Sequence, residues 1–523
     1  MTTPRTDERD ALVIETSGGA VRGVTDGRVV SWKGIPYAAP PVGSLRFAPP
    51  EPHPGWSGVF DAAEFGPASP QLPGPMSVGR PNDVVESEDC LNLNVWAPAT
   101  PAEKSRAVMV WVHGGANFGG SSSEWFYDGT NLADRQDIVV VSINYRLGML
   151  GGLSLDNDAT MGNNDLLDVI LAMRWVQDNI ANFGGDPHRV TIAGESAGAC
   201  MISDLLVSDR AEGLFEQAII SSGHGQANSD RAFAHLTRDL HLAALGETLD
   251  DGTLDRLRQQ PVDALLAAQG RTIVAVKTPY KTVEDGHIVP ITVMEAFAAG
   301  KQHRVPILVG TTRDEHNLFA VLGSGHNVPP AEVPLRERFR NILVDADEAV
   351  LDELEQRYLD LVDNDETAAW NVACTDRDWR APQRTMALHH ADSGAPVYAY
   401  DWAFPSTQVG GALGACHALD LPFWFDNLHQ PGVDQLVGSA SDNPQRDLVA
   451  AMSSDAWGSF VRDGRPSSEH LPDWPRYDRS GRATMVIAAE PHVGPGLHDG
   501  RLDAWDEIEA IPPLWTPYEP AAD

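Results

Sequence analysis

Short runs rich in Val and Ile recur along the chain with helical stretches between them: Ala107 to Val112, Ile138 to Asn144, Val190 to Ala193, Ala218 to Ser221, Pro306 to Gly310, Val397 to Tyr400 and Met485 to Ala488. Strands that are apolar on both faces and separated by helices belong to a parallel sheet covered on each side, since each parallel connection needs a crossover long enough for a helix. One crossover is explicit. Between Leu166 and Phe183, the residues Leu167, Ile170, Leu171, Trp175, Val176 and Ile180 recur at helical spacing. The fold class is therefore α/β, with a large, mostly parallel central sheet and helices on both faces. With 523 residues, 42% of them hydrophobic, the chain has ample core for such a sheet, and large α/β enzymes hold this length in one unit. We expect a single domain over residues 1–523.

Two stretches, about 225–292 and 319–392, break the rhythm with acidic, leucine-bearing helical patterns such as Glu348 to Val362. They read as helical insertions over the site end of the sheet, where substrate lids are commonly placed. Met1 to Glu8 and Glu519 to Asp523 read as tails.

Charge narrows the function. With 74 acidic and 38 basic side chains the formal net charge is −36, a field that repels phosphate backbones and anionic lipid heads, so neither nucleic acid nor a membrane surface is an expected partner. No apolar run reaches the roughly 18 residues needed to span a bilayer, and Met1 to Asp10 lacks a signal-peptide pattern. Cys90, Cys200, Cys374 and Cys416 are scattered without a C-x-x-C pair, which gives no sign of zinc or a redox motif. A soluble cytoplasmic protein is expected, its oligomeric state open.

The chemistry sits in Val190-Thr-Ile-Ala-Gly194-Glu195-Ser196-Ala197-Gly198-Ala199, a β-branched run, then G-x-S-x-G, then a helical run through Leu206. A serine on a very tight strand-to-helix turn presents its hydroxyl above the sheet, and the flanking glycines remove side chains that would clash. Earlier in the chain, Trp111-Val-His113-Gly114-Gly115-Ala116-Asn117 ends a strand in consecutive glycines. Their exposed N–H groups, with that of Ala197 at the helix start, are suited to surround an oxyanion. A serine hydrolase also needs an acid and a base, which follow the nucleophile in that order in this fold. After Val305 to Gly310 comes Thr311-Thr-Arg-Asp314-Glu315-His316, and later Gly414-Ala-Cys-His417-Ala-Leu-Asp420. Spacing alone leaves Asp314 competing with Glu315, and His389, His390, His303 and His316 competing with His417.

The sequence resembles the type-B carboxylesterase family, the α/β-hydrolases that include cholinesterases and bacterial para-nitrobenzyl esterases. The resemblance runs through Gly34-Ile-Pro-Tyr-Ala-Ala-Pro-Pro-Val-Gly43, Glu88-Asp-Cys-Leu-Asn-Leu-Asn94, Asn144-Tyr-Arg-Leu-Gly148, Asn182-Phe-Gly-Gly-Asp-Pro187 and Trp474-Pro-Arg-Tyr477, in family order. It implies Ser196 as nucleophile, Glu315 as acid, His417 as base, and the N–H groups of Gly114, Gly115 and Ala197 as the oxyanion hole. Glu195 and Ser222 match family positions beside the triad. No metal or organic cofactor is implied, and the partner is a small-molecule ester.

The departures from the family pattern are specific. Ser69 stands where disulfide-bearing relatives have the cysteine that pairs with the one at Cys90. Asn117 replaces an aromatic, Ala418 and His316 replace glycines, and His224 lies where small residues are usual. The resemblance also implies that a choline-binding tryptophan would precede Glu88, yet Ser69 to Glu88 holds no aromatic residue; Trp125 or Phe126 is the nearest substitute. The expected substrates are neutral aryl, benzyl or alkyl esters of short to medium acids, with room for bulky, even tertiary, alcohols. Amide or carbamate hydrolysis and acyl transfer by the same triad are the alternatives, and a non-catalytic cholinesterase-like binding protein is a more distant one.

Overall fold

A computed structural model describes residues 12–74, 84–155, 162–323, 332–343 and 346–506. The two expected tails lie outside the described residues. Among those described, an eleven-stranded sheet runs in the order β14-β13-β12-β11-β10-β9-β7-β8-β6-β4-β3, beside a small sheet β1-β2-β5. The strands are β1 (Val13–Thr16), β2 (Gly19–Arg22), β3 (Val24–Thr25), β4 (Val29–Pro36), β5 (Val59–Asp61), β6 (Asn92–Pro98), β7 (Arg106–Val112), β8 (Val139–Ile143), β9 (Gly185–Glu195), β10 (Gln217–Ser221), β11 (Ile307–Thr312), β12 (Val397–Trp402), β13 (Ala483–Ile487) and β14 (His492–Pro495). All seven expected runs are strands, and they pair in parallel from β8 through β13. The antiparallel strands at the two edges, β3, β4, β6 and β14, carry no crossover rhythm and escaped the sequence reading.

Alternation along β7 shows why the sheet needs two covers. Val108, Val110 and Val112 enter one apolar cluster, with helix Asn164–Asn179, whereas Ala107, Met109 and Trp111 enter the other, with helix Arg446–Asp463. The helices Arg231–Leu245, Thr253–Gln259 and Val262–Val276 occupy the first insertion, and their Leu242, Leu257 and Leu265 form a satellite cluster with Met149, Leu150 and Tyr280. In the second stretch the helices Leu335–Ile342, Glu348–Leu359 and Glu366–Thr375 share their own core with Leu502 and Trp505 of the C-terminal helix Asp499–Asp506.

One boundary differs from the sequence reading. Helix Ala381–Asp392 buries Met386, Ala387 and Leu388 in the main core against β11 and β12. It is the crossover between those parallel strands, so the inserted part ends near Arg380. Alternating polar residues along this helix hide its apolar stripe from a periodicity search. None of the described helices is long and apolar enough to cross a membrane.

Candidate active site

The turn after β9 is built by close backbone contact. Ser196 is held at φ 55°, ψ −124°, a conformation that strains any residue with a side chain, and its N–H donates to Ser221 O at 3.0 Å. A Cβ on Gly194 would lie 2.8 Å from the Gly198 carbonyl carbon and 2.9 Å from Val112 O, and one on Gly198 would overlap Val112 O outright. Glycine is therefore required on both sides of the serine. Gly223, after β10, is as constrained: its Cβ would meet that of Ala199 at 2.5 Å.

Gly114 packs directly beneath this turn, where an added Cβ would meet Ser196 Cβ at 3.0 Å and Glu195 Oε2 at 2.8 Å. Among the described residues, no N–H of Gly114, Gly115, Ala116 or Ala197 donates to a backbone carbonyl outside regular helix and sheet bonding. Gly115, Ala116, Ser196 and Ala197 are half-buried while Gly114 is buried, so the open rim runs through Gly115 and Ala116. Ala116 thus brings a further N–H to that rim, one the sequence reading did not single out; its φ of 54° is invisible in a one-letter code. The loop is rooted by His113, whose ring stacks on Tyr145 at 4.4 Å and whose carbonyl accepts from Tyr145 OH at 2.8 Å. Burial pulls the His113 pKa down to about 4, which keeps it neutral. Asn117, at φ 59°, anchors the far end: its Nδ2 donates to Tyr280 O at 3.3 Å, and its carbonyl accepts from Gly148 N at 2.6 Å.

The structure places the candidate acids and bases in different surroundings. His417 Nδ1 lies 2.6 Å from Glu315 Oε2, while Glu315 Oε1 accepts from Thr312 N at 2.8 Å. Asp314 instead accepts from Ala415 N at 2.8 Å and shapes the histidine loop. His390 and His303 bond backbone carbonyls at Val305 and Ser208, and buried His316 packs beside Phe319. On its other side, His417 Nε2 faces Glu195 Oε1 at 3.0 Å. Burial works against charge on the imidazole, but Glu195 and Glu315 together hold its pKa well above the ordinary value. Asp420, bonded by Trp424 Nε1 at 2.8 Å and within 3.3 Å of Ser221 Oγ, is a third buried carboxyl, pushed up to about 7 by burial. Ser222, at φ 51°, donates its N–H to Gly310 O at 2.8 Å, and its hydroxyl is buried behind the nucleophile turn.

Among the departures, Ser69 is buried beside Cys90, and its Oγ accepts from Leu147 N at 3.1 Å. Burial pushes the Cys90 thiol up to about 12, and all four cysteines are free. His224 is buried, its Nδ1 accepting from Gln226 N and its Nε2 donating to Asp378 O at 2.9 Å; burial lowers its pKa to about 4. It is a neutral strut. Trp125 packs on Phe126 at 3.9 Å, and the rings that pack on His417 are Phe319 and Trp379, at 5.4 and 5.7 Å. Sequence reasoning missed Trp379, which lies far from every motif. No group of three or more metal-ligating side chains occurs among the described residues.

A parallel sheet carrying a strained serine on the turn after a central strand, with a carboxylate-bound histidine facing that turn, defines an α/β-hydrolase. The carboxylesterase family model matches residues 10–505, and the chain belongs to that family and is a carboxylic ester hydrolase. It is 36% identical to the para-nitrobenzyl esterase of Bacillus subtilis (strain 168) over 91% of this chain and 95% of that protein. It is 33% identical to a phenmedipham hydrolase of Pseudarthrobacter oxydans, over 91% and 95% of the two chains. Among solved structures, a Geobacillus stearothermophilus carboxylesterase at pH 6.2 superposes with a TM-score of 0.84 at 37% identity, covering 94% of this chain and all of the other.

Proposed function

We propose that Ser196, His417 and Glu315 form the catalytic triad of this esterase, with the N–H groups of Gly114, Gly115 and Ala197, joined by that of Ala116, as its oxyanion hole. The observation that carries the reading is the His417 imidazole, held on Nδ1 by Glu315 at 2.6 Å and with Nε2 3.0 Å from Glu195, the residue next to Ser196 on the nucleophile turn. Ser196 Oγ attacks the ester carbonyl as His417 takes its proton, and the carbonyl oxygen gathers charge against the loop N–H groups. The intermediate then collapses, and His417 returns the proton to the departing alcohol. Water repeats the sequence on the acyl-enzyme. Glu315 fixes the tautomer and balances the imidazolium. Glu195, against both His417 and Gly114, supports the imidazole, and Ser222 packs behind the turn.

The substrate class we infer is neutral aryl, benzyl or alkyl esters. The name of the Bacillus subtilis relative fits a benzyl alcohol, and the described part of the Ser69–Glu88 segment offers no aromatic face for a quaternary ammonium. A cytoplasmic location belongs to the same reading, supported by four free thiols. Ser196→Ala should lower kcat by on the order of 10⁴ to 10⁶, and a fluorophosphonate should label Ser196 alone. Labelling elsewhere, or substantial activity left in the variant, removes the assignment. A choline ester favoured over its uncharged 3,3-dimethylbutyl counterpart by more than about tenfold in kcat/KM would remove the neutral-substrate reading.

A further inference from the structure

Between helices Glu366–Thr375 and Ala381–Asp392 the chain makes one π-helical turn, Asp376–Arg380. Such turns are rare and frequently mark functional sites. Every side chain of this one is buried, and four of the five are charged. Asp376 accepts from Arg380 at 2.8 Å, from Arg501 at 2.6 and 3.1 Å and from Tyr358 OH at 3.1 Å. Arg377 and Asp378 pair at 3.1 Å. Arg380 reaches the carbonyls of Thr312 and Arg313, at the root of the acid loop. The two unusual histidines grip the same segment from outside, His224 through Asp378 O at 2.9 Å and His316 by donating its N–H to Thr375 Oγ1 at 3.1 Å. The fifth residue, Trp379, stacks on Phe319 with centroids 5.7 Å apart and planes 20° from parallel, and both rings pack on His417.

We propose that Trp379, backed by Phe319, is the specificity-determining wall of the alcohol side of the site, favouring esters of flat aryl or benzyl alcohols over branched ones. The proposal rests on His417 being the base. When the intermediate collapses, the bond between the carbonyl carbon and the alcohol oxygen breaks with its electron pair on oxygen, and His417 Nε2 supplies the proton. The alcohol therefore departs past the rings that pack on the imidazole. An indole and a phenyl ring there give a planar group an apolar face and crowd a quaternary carbon. The wall narrows the expected room for tertiary alcohols, and the charged anchors of the turn keep the indole from swinging aside.

The test is kcat/KM for phenyl, benzyl and tert-butyl acetates, and for phenyl acetate, butyrate and pivalate, with wild type, Trp379→Ala, Trp379→Phe and Phe319→Leu. Ratios within each variant cancel changes in overall rate. The tert-butyl to phenyl ratio should rise by about tenfold or more in Trp379→Ala, and by less in Trp379→Phe and Phe319→Leu, while the acyl ratios stay level. An unmoved alcohol ratio, or a shift confined to the acyl series, overturns the wall. If Trp379→Ala does not fold, Trp379→Phe decides, since it retains a ring and removes only the indole's extra width. Failure of the underlying triad shows separately, as activity surviving in Ser196→Ala.

Discussion

Around Ser196 the chain is held by contact: Gly194, Gly198 and Gly223 sit where neither side chain nor backbone leaves room for a Cβ. Around His417 it is held by charge, with Glu315 and Glu195 on the imidazole, Asp420 nearby, and Asp376 and Arg380 bracing the acid loop from the π-helical turn. Contact acts over a few ångströms and ignores pH. Charge acts over longer distances, draws on residues remote in sequence and changes with proton concentration. The candidate site thus combines a half that is fixed under all folding conditions with a half that titrates.

The sharpest way to break this contrast is at the acid. Glu315→Gln should lower kcat by roughly 10³ to 10⁴ through loss of tautomer control, whereas Asp314→Asn, which alters only the bond from Ala415 N, should be much milder. Steady-state kinetics of the two variants decide, and the reverse order would reassign the carboxylate. On the contact side, Gly198→Ala must move Val112, and overpacking of this kind costs about 1 to 3 kcal/mol; chemical denaturation should show the loss equally across pH.

The titrating half makes a subtler claim. Glu195 is one of two carboxylates raising the His417 pKa, so Glu195→Gln should move the acid limb of the kcat/KM profile to lower pH. The stability sign follows from the same shift. A histidine raised in the folded state contributes stability that is fully present below its unfolded pKa and lost as pH rises through the folded one. The variant should therefore lose melting temperature mainly on the acid side. Asp420, raised to about 7, acts in the same direction, its contribution fading between about 3.9 and that value. A uniform drop in melting temperature across pH would count against the charge-held picture.

The parallel strands and the serine turn were legible in the sequence because both are local patterns: β-branched runs, and glycines forced by a turn within five residues. The histidine side was not. Seventeen histidines and two adjacent acids look alike until β11 and the loop after β12 bring Glu315 to His417, and in the sequence only the family resemblance pointed to that pair. Trp379 had no signal at all, since its role depends on a π-turn anchored by Arg501 from the far end of the chain. The edge strands were missed for another reason: they pair antiparallel and need no intervening helix to announce them.

Two smaller effects refine the comparison. Ala418 follows the histidine at φ 62°, so Ala418→Gly should stabilise by up to about 1 kcal/mol, the relief of left-handed strain less the added chain entropy; urea denaturation measures it. Smallest of all, a reductant should leave the melting temperature unchanged, because Ser69 rather than a thiol faces Cys90. Removing a disulfide there would cost about 2 to 5 kcal/mol.

The C-terminal helix Asp499–Asp506 inserts Leu502 and Trp505 into the core formed by Leu335, Phe339, Tyr358 and Trp370, and its Arg501 holds Asp376. Synthesis runs from the N-terminus, so a nascent chain has the Ser196 turn long before it can close this core. Until Arg501 and Trp505 are made, the segment bearing Trp379 lacks this anchor, and the apolar side chains that Leu502 and Trp505 cover stay exposed. A chain cut before Arg501 would keep the residues of the Ser196 turn but lose both the closure of this core and the guanidinium that holds Asp376, so the segment beside His417 depends on residues made more than a hundred positions after it.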